Sequence, residues 1–257
     1  MPTFFLRRLT GRTRTRRANR QLGAFLAFIA GAVNAGGFLA IKQYTSHMTG
    51  IVSSIADNVV LGNLFLVFSG LGALLSFLSG AATTAVLINW ARHRKMHSEY
   101  ALSLALEAIL LLVFGLLGAN LNAFTVVFFP ATVVVLCYIM GLQNAIVTKI
   151  SHAEIRTTHV TGLVTDIGIE LGKLFYWNRT HKKNTQEFVT ADRDKLTTHI
   201  TLFSMFLIGG VLGAFGFKAF GFIAIVPIAC ALMCIAFFPI LDDILFYSHA
   251  VHGQKER

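Results

Sequence analysis

Residues 46–50 read Ser-His-Met-Thr-Gly, and residues 158–162 read Thr-His-Val-Thr-Gly. The chain has nine histidines, and each of these two phrases holds one at its second position. The match extends upstream, where residues 31–35 (Gly-Ala-Val-Asn-Ala) resemble residues 141–145 (Gly-Leu-Gln-Asn-Ala). Polar residues repeated in the same order within apolar surroundings predict a duplicated unit with one polar site between its two halves.

The composition is that of a membrane protein. Of the 257 residues, 55% are hydrophobic and only 13% are charged, whereas a soluble domain carries about 25% charged residues. The three cysteines, Cys137, Cys230 and Cys234, lie in apolar runs. We interpret all three as small buried thiols, with no disulfide, redox or metal role.

Six segments are long and apolar enough to cross a bilayer, which takes about 20 residues as a helix. They are Leu22–Ile41, Leu64–Ile88, Ala101–Ala119, Thr125–Val147, Leu202–Gly216 and Phe220–Pro239. Pro130 is expected to kink the fourth segment. The boundary between the fifth and sixth falls between Phe217 and Gly221.

Basic residues predict the orientation, because cytoplasmic loops are enriched in Lys and Arg. Six spans with both termini inside place every basic cluster in the cytoplasm. An Arg-rich tail can bind nucleic acid, but before a long apolar segment we interpret it as an anchor on anionic lipid headgroups. The predicted units are a basic cytoplasmic tail (1–20), a first membrane repeat (21–119), a second membrane repeat (124–245) that includes a basic cytoplasmic loop (173–198), and a cytoplasmic tail (246–257).

The repeat predicts two inverted halves. Each half holds three spans, and an odd number makes the second half enter the membrane in the opposite direction. Such repeats are typical of secondary transporters and of some channels. A weaker match aligns residues 64–68 with residues 202–206, an offset of 138. The alternative is a duplicated scaffold without a site.

Each phrase is followed by a short segment with the polar stripe of an amphipathic helix. In the first half the polar positions are Gly50, Ser53, Ser54, Asp57 and Asn58; in the second they are Gly162, Thr165, Asp166 and Glu170. Both pieces are too short to cross a bilayer. Each is either an amphipathic helix at the membrane surface or a re-entrant half-helix that lines a cavity. We expect Ser46 or Thr49, and Thr158 or Thr161, to cap these helices, whose first N–H groups attract negative charge.

The predicted substrate site joins the two phrases with the asparagines upstream. Its residues are His47, Thr49, Gly50, His159, Thr161, Gly162, Asn34 and Asn144. A neutral imidazole donates and accepts hydrogen bonds and titrates near physiological pH. The histidines therefore bind a solute, relay a proton or tie the loops down. The asparagines either bond between helices or break the helix and expose its carbonyl groups.

Acidic residues inside the membrane are the candidates for proton coupling. They are Glu107 in the third span and Asp57, Asp166 and Glu170 on the short helices. The alternative is that Asp166 and Glu170 face the cytoplasm near Lys173. No cofactor is expected, and without a close pair of histidines a metal site is disfavoured.

The phrase Gly-x-x-Asn-Ala followed by Ser-His-Met-Thr-Gly, in a six-span chain of this length, resembles the YoaK-like family, a domain of unknown function. The resemblance covers residues 21–247 and implies a multi-pass protein of the bacterial inner (plasma) membrane. The family commonly has Asp where this chain has Asn34, so a charged position is neutral here. The family supplies no substrate.

The sequence predicts an all-α polytopic protein that transports a small solute as a secondary carrier, with protons as the candidate coupling ion. A small anion or zwitterion is favoured as the solute, because helix N-termini and a net charge of +10 attract it. The alternatives are a passive channel of the same architecture and a membrane-surface interaction protein that acts through its basic tail. No catalytic arrangement emerges, so an enzyme is not expected. The expected partners are the bilayer and the solute, and a homo-oligomer is left open.

Overall fold

The computed structural model describes residues 15–94, 96, 98–120, 125–150, 158–176 and 189–255, and these ranges contain helices and no strand. The helices are α1 (Arg16–Ile41), α2 (Met48–Val60), α3 (Leu64–His93), α4 (Ala101–Ala119), α5 (Thr125–Ile150), α6 (Val160–Phe175), α7 (Arg193–Phe220) and α8 (Ile225–Lys255), with a 3₁₀ turn (Gly221–Ala224) between the last two. The all-α prediction is confirmed for the described residues.

The long helices form from apolar runs, and the residues at their ends cap or terminate them. Thr15 caps α1 by accepting a hydrogen bond from the N–H of Ala18 at 3.3 Å. Asp192 caps α7 by accepting from the N–H of Lys195 at 3.0 Å. Gly221, with φ of 62°, ends α7 in a left-handed conformation that favours glycine.

Five stretches are long and apolar enough to cross a membrane: Ala18–Leu39, Leu64–His93, Ala101–Ala119, Phe129–Ile150 and Arg193–Asp243. The last is 51 residues long and contains the 3₁₀ turn. The short helix α2 is apolar as well. The protein is therefore a multi-pass helical membrane protein, with several helices extending beyond the predicted spans.

The basic segments fall partly outside the described residues. Residues 1–14 of the predicted tail and residues 177–188 of the predicted loop belong to that part of the chain. The described residues that border these two segments are largely helical: α1 begins at Arg16, α6 continues to Phe175 and α7 begins at Arg193. The predicted loop at 173–198 is therefore shorter than expected, because its ends continue the flanking helices.

Two helix crossings build most of the bundle: α1 packs on α7, and α3 packs on α5. In both pairs the helices run parallel. Ala32 meets Gly213 and Gly36 meets Phe217 along the first pair, and Ser76 bonds Val134 and Thr84 bonds Leu142 along the second. Both pairs thus keep one constant register over several turns.

The same contact occurs in both crossings. A Cβ on Gly31 would overlap the carbonyl oxygen of Phe206, and a Cβ on Gly209 would overlap that of Phe28. The second crossing repeats this with Gly141 against Phe77 and with Gly80 against Tyr138. Glycine therefore lets the backbones approach closely at each of these points.

These equivalent contacts relate the two halves position by position. The offset is 110 between α1 and α5, as the repeat predicted, but 129 between α3 and α7. The offset of 138 taken from residues 64–68 and 202–206 does not fit these contacts, because the residues that make the same contacts lie in 77–80 (Phe-Leu-Ser-Gly) and 206–209 (Phe-Leu-Ile-Gly).

The remaining contacts join these pairs into one bundle. At the centre α1 runs antiparallel to α5, with the Nε2 of Gln143 donating to the carbonyl of Leu26 at 3.2 Å. On one side α4 packs on α5 and on α8. Helices α4 and α8 run antiparallel, since Asp243 accepts from Ser98 near one end and Gly118 meets Phe222 at the other.

Candidate functional site

Both asparagines of the repeat tie a polar phrase to a long helix. The Oδ1 of Asn34 accepts from the hydroxyl of Ser46 at 2.8 Å. The Oδ1 of Asn144 accepts from the hydroxyl of Thr158. Both α1 and α5 continue without a break through these positions. The asparagines therefore act as hydrogen-bonding residues, but each bond joins a long helix to the loop before a short helix and not to another helix, and the predicted helix break is wrong.

After α1 and after α5 the chain turns back, and the hydrogen bond to asparagine holds the polar phrase alongside the helix that precedes it. Helix α1 continues for seven residues beyond Asn34, and Lys42 then reverses the chain with φ of 56°. At 1.5 Å per residue, Ser46 therefore returns about 10 Å below the end of α1. Helix α5 likewise continues six residues beyond Asn144, so Thr158 returns about 9 Å along it.

The two histidines occupy the position before each short helix. His47 is the N-cap residue of α2 and His159 that of α6, and in neither case does the N-cap side chain bond the first turn. The predicted caps by Ser46 or Thr49 and by Thr158 or Thr161 are wrong, because both hydroxyls before the histidines bind asparagine instead. The first turns of α2 and α6 thus begin without a side-chain cap.

The Thr-Gly that follows each histidine lies in the first turn of its helix. The His47 ring packs over Gly50, where any Cβ would clash with it, whereas Gly162 meets only the Cβ of His159. Thr49 and Thr161 are exposed, as are both histidines. These side chains and the N–H groups beside them can donate hydrogen bonds to a ligand, and this chemistry suits an anion or a carboxylate.

Each short helix packs on the long helix that follows it. Ile51 and Ile55 of α2 contact Gly70 of α3. At the hairpin, Asn63 donates to Asn58 at 3.2 Å. The polar positions of α2 do not act together, because Asn58 is buried whereas Ser53, Ser54 and Asp57 are exposed.

The second half carries a charged version of the same hairpin. The N–H of Asp192 donates to Glu170 at 2.8 Å, and Lys173 binds the other carboxylate oxygen at 2.9 Å. Glu170 is only 2% exposed. The hydrogen bond from Lys173 chiefly, and then that from Asp192, lowers the pKa of this carboxyl. Glu170 is therefore an ionised, fully partnered acid.

Asp166 lies one turn before Glu170 and faces α7. Its carboxylate is 3.7 Å from Lys195 and 3.8 Å from Nδ1 of His199. Both partners were missed from the sequence, because they lie some 30 residues away on another helix. In the first half, the residues that correspond to Lys195 and His199 at an offset of 129 are Leu66 and Gly70, which carry no charge. The alternative that these acids lie near Lys173 is supported for Glu170, whereas Asp166 lies beside Lys195 and His199 instead.

The fourth acidic candidate, Glu107, lies apart from the phrases. It is 0% exposed in the middle of α4, and neither carboxylate oxygen has a hydrogen-bond partner within the described part of the chain. Helix α4 contacts α5 and α8 rather than the short helices. Glu107 therefore does not belong to the site that the repeat predicts.

The structure assembles each half of the predicted site around its own asparagine. Asn34 joins the phrase of His47, and Asn144 joins the phrase of His159. Helices α2 and α6 share no extensive contact in the described ranges. Within those ranges no group of three or more His, Cys, Asp and Glu side chains is arranged to hold a metal ion.

Comparisons with known proteins agree with the family resemblance. A family model described as a protein of unknown function, DUF1275, matches residues 22–238. The chain is similar to the UPF0700 transmembrane protein YoaK of Bacillus subtilis (strain 168), with 27% identity over 210 residues that cover 80% of this chain and 87% of the relative. No solved structure matches the chain.

Proposed function

The chain is a multi-pass membrane protein of the DUF1275 family, and we propose that it transports a small solute through two inverted halves of three spans each. The 51-residue stretch Arg193–Asp243 would be about 77 Å long as one straight helix. A hydrocarbon core is about 30 Å thick. Division at Gly221 into two antiparallel spans brings the total to six.

The inversion is supported by helix contacts that recur when equivalent helices of the two halves are interchanged. When α1 is replaced by α5 and α3 by α7, the interface of α1 with α7 becomes that of α5 with α3. The packing of α2 on α3 becomes that of α6 on α7, and the contacts of α1 with α5 and of α4 with α8 map onto themselves. A two-fold axis in the membrane plane has this effect.

The observation that carries the proposal is that each phrase is bonded to one of the two central helices, α1 or α5, while its short helix packs on a long helix that borders the other. The first phrase is bonded to α1 through Asn34, but its helix α2 packs on α3, which borders α5. The second phrase is bonded to α5 through Asn144, but its helix α6 packs on α7, which borders α1. We therefore place both uncapped helix starts beside the contact between α1 and α5, on opposite sides of the middle of the bilayer.

The depth of the phrases fits a site inside the bilayer. Asn34 lies about 8 Å from the middle of the span Ala18–Leu39, and Asn144 lies about 7 Å from the middle of Phe129–Ile150 on the other side. The short helices then run outward from the midplane as re-entrant half-helices. Their N-termini point inward and would hold an anionic or zwitterionic solute between His47 and His159.

A thermal-shift screen on detergent-purified protein tests this proposal. Small anions and zwitterions are added to the wild type and to the double variant His47→Ala/His159→Ala. A bound solute raises the melting temperature in proportion to its occupancy. Ser79→Ala is the matched control, because its hydroxyl bonds only the carbonyl of Leu75 on the exposed side of α3.

We expect some solutes to stabilise the wild type and the control but not the double variant. Uptake into liposomes then follows: saturation and a response to a pH gradient indicate a carrier, and fast flux without saturation indicates a channel. If no solute stabilises the wild type and the double variant melts far lower without any ligand, the histidines only hold the loops and the proposal fails.

A further inference from the structure

The polar groups that the proposed solute site leaves unused lie between α4 and α5. Ser103 and Glu107 are one turn apart on α4, and both are 0% exposed. The hydroxyl of Ser103, both carboxylate oxygens of Glu107 and the Oε1 of Gln143 have no hydrogen-bond partner within the described residues. Buried polar groups without partners are rare and call for an explanation.

Glu107 faces the interior of the bundle. It stands midway between Tyr100 and Phe114, each seven residues away, and this spacing keeps all three on one face of α4. The hydroxyl of Tyr100 reaches the carbonyl of Lys149 on α5 at 3.4 Å. The ring of Phe114 packs against that of Phe217 on α7. Glu107 therefore points between α5 and the pair formed by α1 and α7.

Glu107 and Gln143 lie at the same level. Helices α4 and α5 are antiparallel and matched at Tyr100 and Lys149, so seven residues along α4 correspond to about seven residues back along α5, at Leu142. Gln143 is the next residue, and its Nε2 already donates to the carbonyl of Leu26 on α1. Only its carbonyl oxygen is left to accept.

A direct hydrogen bond between Glu107 and the Oε1 of Gln143 requires a proton. An ionised Glu107 offers only acceptors, and the Oε1 of Gln143 is an acceptor too. The hydroxyl of Ser103 is a donor, but it lies on the same helix as Glu107, so a protonated carboxyl supplies the donor that joins α4 to α5. The titratable groups nearest in level on the packed helices are Cys137 on α5 and Cys230 and Cys234 on α8, and α3 has none there. None is a cation that could balance an ionised carboxylate.

We propose that Glu107 is a proton-binding site within the bilayer and that its protonated carboxyl donates to the Oε1 of Gln143, linking α4 to the central helix α5. Proton binding forms an O–H bond on one carboxylate oxygen of Glu107. Release transfers this proton to water and breaks the hydrogen bond to Gln143. The pair α4 and α8 is then free to shift against the central helices. A coupling role for this site rests on the proposed transporter function, whereas the proton site itself does not.

Infrared difference spectroscopy of the purified protein in lipid tests the proton site directly. We expect the wild type at pH 7 to show the carbonyl band of a protonated carboxylic acid, and Glu107→Gln to lack it. Gln143→Met, which is similar in size, is expected to move this band to higher frequency because the acid loses its acceptor. Glu170→Gln is the control and is expected to leave the band unchanged, because Glu170 is ionised by its partners.

Two results would overturn the inference. A wild type without the acid band at pH 7, or with a band that survives Glu107→Gln, excludes a proton on Glu107. A band that Gln143→Met does not move excludes the link to α5. These spectra do not depend on transport, so they are separable from the solute proposal: uptake by wild type and Glu107→Gln with the same response to a pH gradient rejects coupling and leaves the carrier intact.

Discussion

At the scale of single residues, the repeated asparagines act through one oxygen each. The hydrogen bonds from Ser46 to Asn34 and from Thr158 to Asn144 hold the start of each short helix against a long one. The amide nitrogen of Asn144 bonds the carbonyl of Met140 within its own helix at 2.7 Å. What these positions need is therefore an acceptor oxygen, and an aspartate can supply one as well.

Removal of either acceptor should loosen the corresponding loop. We expect Asn34→Ala and Asn144→Ala each to destabilise the protein by about 1 kcal/mol, because a hydroxyl loses its partner. The double variant should show the sum, since the two bonds share no residue. Asn34→Asp keeps an acceptor and should melt close to the wild type. Thermal melts in detergent measure this, and equal losses for Asn34→Ala and Asn34→Asp would contradict it.

At the scale of helices, glycine decides where two long helices cross. Five glycines face a backbone carbonyl of the neighbouring helix, and a side chain at any of them would push the helices apart. Gly72 lies in α3 as well, but its Cβ position has no heavy atom within 4 Å. Helix α3 therefore contains three glycines: Gly80 faces the backbone of α5, Gly70 faces Ile55 of α2, and Gly72 faces open space.

This contrast gives a matched pair of substitutions within one helix. Gly80→Ala should destabilise the protein by about 1–3 kcal/mol, because the added methyl meets the carbonyl of Tyr138. Gly72→Ala should be neutral or stabilise by up to about 1 kcal/mol through its helix propensity. Melting temperatures in one detergent compare the two. Equal effects would mean that the crossing of α3 with α5 is looser than described.

At the scale of the whole molecule, the number of spans depends on the stretch Arg193–Asp243. Length and composition alone count it as one of five. The packing of α7 on α1 and of α8 on α4, with the 3₁₀ turn between them, divides it into two antiparallel helices. Five spans would put the two ends of the chain on opposite sides of the membrane, and six would put them on the same side.

Reporter fusions distinguish these outcomes. We expect green fluorescent protein to fluoresce at both ends of the full chain and alkaline phosphatase to be active when fused after Phe220, since these reporters work on opposite sides of the membrane. A phosphatase fusion after Arg94, in a basic loop, is the control and should be inactive. Phosphatase activity at the C-terminus of the full chain would reject six spans and the inverted repeat together.

Much of the candidate site can be predicted from local sequence. Asn34 and Asn144, the histidine phrases and the short helices were all identified from the offsets of 110 and 112, because a duplicated backbone keeps its polar anchors. The correspondence of α3 with α7 was misplaced by nine residues, because Leu and Phe recur too often in apolar spans to mark a register. Four residues, Phe-Leu-x-Gly, carried the correct signal.

Apolar length, basic loops and repeated polar phrases thus determined by themselves that the chain is a helical membrane protein with a duplicated polar element, since these properties depend on neighbours in sequence. The tertiary structure alone decided that α1 pairs with α7 and α3 with α5, that Glu170 is bonded by Lys173 and Asp192, and that Glu107 and Gln143 share one level. The physical reason is that such pairings depend on how distant backbones approach, and close approach is set by the shape of both partners at once.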